Sequence, residues 1–98
     1  MSKPLYYIKE NSWLARMAAK KMKATAIAMV LGATIHLYGT TKANFLDDSK
    51  WLKHEICHIN QFKKHGYFIF IIKYILEWVL VGYYHNKYEI EARQAENG

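Results

Sequence analysis

Apolar and polar positions follow a helical pattern at the start of the chain, a β pattern after it and helical patterns again to the end. From Asn11 to Lys23, apolar side chains recur at helical spacing opposite basic ones, which predicts a basic amphipathic N-terminal helix within residues 1–23. The expected apolar face comprises Trp13, Leu14, Met17, Ala18 and Lys21 or Met22. Residues 24–46 contain two β-type runs on either side of Leu31-Gly32, which predicts a hairpin, followed over 42–46 by a short helical turn or a third strand.

Three helices are predicted in the second half of the chain. Capping residues before Ser49 and the lack of Gly or Pro as far as Gly66 predict a helix over 49–66. Its expected core-facing stripe consists of Leu52, Ile56, Ile59 and Phe62. Residues 67–84 are expected to form an apolar helix. The capping-box-like spacing of Asn86 and Glu89 predicts the start of a last helix over 86–96. The whole chain, 1–98, is therefore expected to be one mainly helical α+β domain of minimal zincin-like type.

The apolar run 67–84 is close to the minimum length for a membrane span. Lys73 and Glu77 near its middle would each be costly in lipid, but at a spacing of i and i+4 they can pair on a helix surface. The expectation is therefore a largely buried helix, with contact to a membrane or an oligomer interface as the alternative. No apolar signal segment is visible near the N-terminus, so a cytoplasmic protein is expected.

Positive charge is concentrated at the N-terminus. Of the formal net charge of +6, residues 1–23 carry +5 and residues 24–98 carry +1. A basic amphipathic helix can bind an anionic membrane or nucleic acid. No recognised nucleic-acid motif accompanies it, so nucleic acid is not expected as a partner, while contact with a membrane surface stays open. The single cysteine excludes an internal disulfide.

The pentad over residues 54–58 reads HEICH and has the HExxH form. Positions i and i+4 project from the same side of a helix, so His54 and His58 can bind one tetrahedral ion at roughly 2.0–2.1 Å. Glu55 lies beside them and can take a proton from a metal-bound water. The pentad therefore predicts a zinc site with its own general base. Gln61 and His65 extend the same stripe and are expected to lie outside the ligand set.

Two histidines leave zinc short of the three protein ligands usual in catalytic sites. The helix over 86–96 offers Glu89 and Glu91, which lie about 200° apart on a helix of 3.6 residues per turn. Only one of them can face the metal. Just before this helix, Tyr84 is a candidate hydrogen-bond donor to an oxyanion, with Tyr83 and His85 as neighbours of the same kind.

The HExxH pentad followed by E-x-x-A at residues 89–92 resembles the gluzincin class of zinc metallopeptidases, in particular its smallest single-domain members. The resemblance covers the order of elements over residues 24–95. It implies that Glu89 completes a two-histidine, one-glutamate zinc site and that a strand of the 24–46 region holds the substrate. Many members have Asp directly after the Ala, where it supports a metal-bound His, and this chain has Arg93 there.

The expected function is zinc-dependent hydrolysis of peptides or unfolded proteins, in an active or a latent form. Two other classes stay open. One is a non-catalytic zinc protein, in which metal binding contributes to folding or to a partner interaction. The other is a basic module that binds a membrane or nucleic acid, for which salt-dependent binding would be the mark. The sequence does not predict an oligomeric state.

Overall fold

The computed structural model describes residues 5–98, and within them five helices accompany a three-stranded sheet. In chain order the elements are β1 (Tyr7–Lys9), α1 (Trp13–Met22), β2 (Ile27–Leu31), β3 (Thr34–Tyr38), α2 (Lys42–Asp47), α3 (Ser49–His65), α4 (Tyr67–His85) and α5 (Lys87–Ala95). This mainly helical α+β architecture confirms the predicted fold class. The first four residues of the predicted 1–23 segment lie outside the described residues.

The predicted hairpin is confirmed. Strands β2 and β3 pair antiparallel, and Leu31 lies opposite Thr34 across the turn. Gly32 in this turn has φ 65°, a left-handed conformation that glycine adopts without strain. The order of the sheet is β1-β3-β2, so β3 is central and β2 is an edge strand.

The third strand of the sheet is β1, and residues 42–46 belong to α2. Strand β1 pairs parallel with β3, with Ile8 opposite Ile35. A three-residue strand has too few positions to show alternation, which is why the sequence pattern did not reveal it. The predicted alternative of a short helical turn is confirmed by α2, where the Thr41 side chain accepts a hydrogen bond from the Asn44 amide at 3.1 Å.

Helix α1 begins at Trp13, after Ser12 as its N-cap, and its buried residues are Ala15 and Ala19. The predicted apolar face is therefore wrong for Trp13 and Met17, which are 63% and 59% exposed, whereas Leu14 and Ala18 of that face are half-buried. Helix α1 packs on β3 and β2, and small alanine side chains let the helix backbone approach the sheet closely. Packing thus selects the alanine face and leaves Trp13 and Met17 in solvent.

The core consists of two clusters that meet on α3. The first contains Ile35, Leu37, Phe45 and Ile59, and the second contains Phe62, Phe70 and Tyr88. Of the stripe predicted on α3, Ile59 and Phe62 are buried in this core, the half-buried Leu52 packs against it, and Ile56 is half-buried. Because both clusters contact α3, the helix holds its opposite face in a fixed position.

Helix α4 departs most from the prediction. Of its 19 residues only Phe70 is buried, so the expectation of a largely buried helix is wrong. Helix α4 packs on α3 and α5, which cover one side of it only. Gly82, with φ 81°, interrupts the helical conformation, so Tyr83 begins a separate final turn. Within residues 5–98, α4 is also the one helix whose length and composition would allow it to cross a membrane.

Candidate metal centre

The three predicted metal ligands converge between α3 and α5. His54 and His58 lie one turn apart on α3, and Glu89 lies in the first turn of α5. Glu89 Oε1 is 3.0 Å from His54 Nε2 and 3.1 Å from His58 Nε2. One potential ligand atom from each side chain lies within 4.8 Å of the other two, a spacing that one ion can bridge from about 2 Å.

The rotation of α5 decides between Glu89 and Glu91. Glu89 is 4% exposed and faces the histidines, whereas Glu91 is exposed and accepts a hydrogen bond of 2.7 Å from Gln61 Nε2. Asn86 is fully buried and caps α5 by accepting from the Tyr88 amide at 2.9 Å, which fixes how the helix starts. The structure thus brings Glu89, and not Glu91, to the two histidines.

Gln61 orients His58 from the side opposite Glu89. Its Oε1 atom is 2.8 Å from His58 Nδ1, and its Nε2 atom donates to the Tyr88 carbonyl at 3.1 Å and to Glu91. Because the Gln61 oxygen can only accept, His58 Nδ1 carries a proton, and Nε2 is the nitrogen left for a metal. The sequence signal for this role was the position of Gln61 on the histidine stripe, almost one turn after His58.

Glu96 supports His54 in the same way. Its Oε2 atom is 2.7 Å from His54 Nδ1. Many gluzincins support a metal-bound His with an Asp at the position that Arg93 occupies here, and in this chain Glu96 at the end of α5 supplies a carboxylate instead. Arg93 instead lies 4.4 Å from the centroid of the Tyr84 ring and donates to the Tyr84 carbonyl. The sequence signal that could have revealed Glu96 was its spacing of about two helical turns from Glu89, which puts both carboxylates on one face.

Aromatic hydroxyls from α4 also lie at the cluster. Tyr74 donates to Glu89 Oε2 at 2.5 Å, and burial together with the Glu89 charge raises the pKa of the Tyr74 hydroxyl. Tyr83 lines the cavity beside the cluster, whereas Tyr84, the predicted oxyanion donor, is 68% exposed and lies outside it. The break at Gly82 rotates the end of α4, so helical spacing could not indicate which tyrosine faces inward.

Glu55 is buried beside the histidines and lines the same cavity. Burial raises the pKa of its carboxyl to about 8; the His58 charge opposes this shift, and the Glu89 and Glu96 charges add to it. A carboxyl group that exchanges its proton near neutral pH is suited to general acid–base chemistry. The predicted base therefore lies next to the predicted ligands.

A cavity of about 360 Å³ opens at the cluster. Its polar lining includes His54, Glu55, His58 and Glu89, and strand β2 borders it along its whole length. The apolar lining from α1, α3 and α4 consists of Ala18, Met22, Phe62, Phe70, Ile71, Ile75 and Trp78. A molecule in this cavity would lie between the edge strand of the sheet and the side chains that could hold a metal.

Replacing Gln61 by Ala is expected to weaken zinc binding by about 10–100-fold, because His58 loses the acceptor that fixes its ring and its tautomer. The measurement is the zinc dissociation constant, obtained by competition with a chromogenic chelator. Gln94→Ala on the exposed side of α5 is the matched control and should leave the constant unchanged. An unchanged constant in Gln61→Ala would contradict the orienting role.

The metal-free protein is expected to become less stable as pH rises from about 5 to about 8. Burial raises the pKa of Glu55 to about 8. Burial lowers the pKa of His58, but the Glu89 carboxylate outweighs this effect and raises it overall. At Glu55 and His58 the folded state therefore binds more protons than the unfolded chain in this window. The stability that these two groups contribute at low pH is lost as pH rises through their pKa values in the folded state.

The free energy of unfolding should fall by about 1–3 kcal/mol across this window, as measured by urea denaturation in the presence of a chelator. The lowered pKa of Glu89 does not change this sign, because its contribution is lost only as pH falls below its ordinary value of 4.5. Glu55→Gln should make the dependence shallower. Stability that rises with pH between these limits would contradict the expectation.

Comparison of the chain with protein-family models, with curated proteins and with solved structures gives no match. The features of the chain that bear on its function are His54, Glu55, His58 and Glu89 and the cavity that they line.

Proposed function

We propose that the protein is a gluzincin-like zinc metallopeptidase that hydrolyses short or unfolded peptides. The observation that carries this proposal is the convergence of His54, His58 and Glu89 at a cavity in which Glu55 is buried beside them. Structural zinc sites are closed by four protein ligands, whereas catalytic sites have three and keep one position open. Three protein donors that face an accessible cavity support the catalytic class.

The donor set fits zinc. Two imidazole nitrogens and one carboxylate oxygen match the ligands of known catalytic zinc sites. Each histidine also has its Nδ1 atom hydrogen-bonded, one to Glu96 and the other to Gln61, and such partners set the ring orientation and tautomer that a metal requires. The same donor types also suit non-haem iron, so elemental analysis is the measurement that distinguishes the two metals.

We assign Glu55 the role of general base and then of general acid. A zinc ion held by the three ligands would lower the pKa of a bound water toward ~7 and polarise the peptide carbonyl. Glu55 accepts the proton of the attacking water and delivers it to the leaving amine. The position of Glu55 supports this role, because its buried side chain lines the cavity beside the three candidate ligands.

We assign Tyr83 the hydrogen bond to the carbonyl oxygen as that oxygen gains negative charge. Tyr83 lines the cavity, and burial followed by the Glu89 charge raises the pKa of its hydroxyl. The hydroxyl therefore stays protonated and able to donate, which is what stabilisation of an oxyanion requires. Tyr84 is not assigned this role, because its side chain lies outside the cavity and is 68% exposed, against 40% for Tyr83.

The edge strand β2 supports an extended peptide as the substrate. One edge of β2 pairs with β3, no described strand pairs with the other, and residues 27–31 all border the cavity. An extended peptide can add main-chain hydrogen bonds to such an edge, which would align the peptide beside the metal-binding side chains. The apolar lining, with Met22, Phe70 and Trp78 among its residues, favours a bulky apolar side chain near the cleaved bond.

Metal content and peptide cleavage, measured on the same preparation, test the proposal. We expect stoichiometric zinc and cleavage of quenched-fluorescence peptides that carry phenylalanine or leucine, with activity lost on chelation and regained on addition of zinc. Bound zinc without cleavage of any peptide in a mixed library would overturn the peptidase in favour of a zinc-stabilised structural protein. Absence of zinc and of iron would overturn the metal site itself.

A further inference from the structure

The uncovered side of α4 is a continuous apolar surface. Seven residues lie within an arc of about 140° around the helix axis and are each 48–77% exposed: Phe68, Ile69, Ile72, Ile75, Leu76, Val79 and Leu80. We call them the α4 apolar face. Soluble proteins tolerate scattered apolar side chains at the surface, but a contiguous patch of this kind marks a site of interaction.

The two charged side chains of α4 lie beyond one margin of this face. Glu77 Oε2 accepts a hydrogen bond of 3.0 Å from the Lys87 amide at the start of α5. Lys73 Nζ is 3.3 Å from His65 Nδ1 at the end of α3. Both side chains are thus directed toward neighbouring residues of the protein. The cost of placing these charges in lipid therefore does not exclude contact between lipid and the α4 apolar face.

The segments before and after α4, and helix α1 beside its cavity, are rich in positive charge. Residues 63–87 contain four lysines and one glutamate, namely Lys63, Lys64, Lys73, Lys87 and Glu77. Helix α1 adds four exposed basic residues in or directly after it, Arg16, Lys20, Lys21 and Lys23. The end of α1 lies near α4, because Met22 and Trp78 line the same cavity.

This charge selects between the possible partners of the face. A second copy of the chain would bring an equal net charge of +6 and would be repelled. An anionic lipid surface would be attracted by each nearby lysine or arginine. Tyr67 and Trp78, both partly exposed on α4, are residue types that are enriched at the boundary between lipid headgroups and acyl chains.

We propose that the protein docks on an anionic lipid bilayer, with α4 lying in the plane of the interface and its apolar face in contact with the acyl chains. The other side of α4 stays packed on the protein, since Phe70 is buried and Tyr74 is hydrogen-bonded to Glu89. The helix therefore lies on the membrane and does not span it, as amphipathic interfacial helices do. Ile75 and Trp78 border the cavity, so the metal-binding side chains would be reached from the membrane surface.

Sedimentation with lipid vesicles tests this proposal on the full chain. Partitioning onto phosphatidylcholine vesicles that contain about one-third phosphatidylserine should exceed that onto pure phosphatidylcholine vesicles by at least about tenfold, and it should fall as salt is added. The double variant Ile72→Gln, Val79→Gln should partition at least about tenfold more weakly. Both side chains are mostly exposed, so the variant should keep its fold, which its circular dichroism spectrum would verify.

Two control variants isolate the α4 apolar face. Met17→Gln on α1 removes an apolar side chain of similar exposure, 59% against 55% for Ile72, and should partition like the wild type. Glu55→Gln should also partition like the wild type, because docking does not require the peptidase chemistry. Failure of the proposed function and failure of docking are therefore distinguished by different variants.

Three results would overturn docking on a membrane. One is equal or absent partitioning on the two kinds of vesicle. Another is partitioning that the Ile72→Gln, Val79→Gln variant retains, which would place the contact elsewhere. The last is a dimer in light-scattering measurements without lipid that the same variant converts to a monomer, since a second copy would then cover the face.

Discussion

Replacement of Glu55 by Gln is expected to reduce the rate of peptide hydrolysis by about 10²–10⁴-fold while the protein retains its zinc. Gln has nearly the shape of Glu and can fill the same buried position beside His58, so the ligands should keep their places. It cannot accept the proton of the attacking water, and that step has no other assigned carrier. The measurement is kcat/KM on a quenched-fluorescence peptide together with zinc content.

Glu10→Gln is the matched control for this variant. This substitution makes the same chemical change at an exposed position, where Glu10 Oε2 accepts a hydrogen bond of 2.6 Å from the Lys42 amide. The control should hydrolyse peptide at the wild-type rate. If Glu55→Gln kept both its zinc and its rate, Glu55 would not be the base and the proposed mechanism would fail.

Loss of a metal ligand should have the second large effect. His58→Ala and Glu89→Gln are each expected to weaken zinc binding by more than the 10–100-fold typical of outer contacts, thus by at least about 100-fold, and to remove hydrolysis with it. Glu91→Gln should weaken binding by less than about tenfold, because Glu91 is linked to the site only through Gln61. The zinc dissociation constant measured by chelator competition distinguishes these outcomes.

His85→Ala is the control for loss of a histidine, because His85 is exposed at the end of α4. Its zinc dissociation constant should equal that of the wild type. Zinc should also raise the melting temperature of the wild type and not that of Glu89→Gln, since an ion that binds the folded state stabilises it by mass action. Stronger loss of zinc in Glu91→Gln than in Glu89→Gln would contradict the ligand assignment.

Local patterns along the chain determined the elements that build the site. The uninterrupted helical run before Gly66 and the spacing of i and i+4 put His54 and His58 on one face of α3, and both statements depend only on residues close in sequence. The hairpin at Gly32 and the start of α5 at Asn86 follow from turn and capping interactions, which also involve only residues close in sequence. Position alone reduced the candidates for the third ligand to Glu89 and Glu91.

Tertiary packing decided what local patterns left open. The burial of Asn86 sets the rotation of α5 and so selects Glu89. Glu96 lies 42 residues from its partner His54 in the sequence, and Tyr74 lies 15 residues from its partner Glu89. No periodicity connects residues at such separations. Tyr83 replaces Tyr84 at the cavity because Gly82 breaks the helical spacing on which the expectation for Tyr84 depended.

The two errors in predicted burial have one physical cause. Hydrophobic spacing shows which side chains gain from leaving water, but it does not show what surface is available to cover them. On α1 the close approach to the sheet favours Ala15 and Ala19 over larger neighbours. On α4 the described residues, 5–98, supply neighbours for one side only. The sequence by itself thus determined the helices, the hairpin and the HExxH pair, whereas the partners of each face depended on contacts between distant segments.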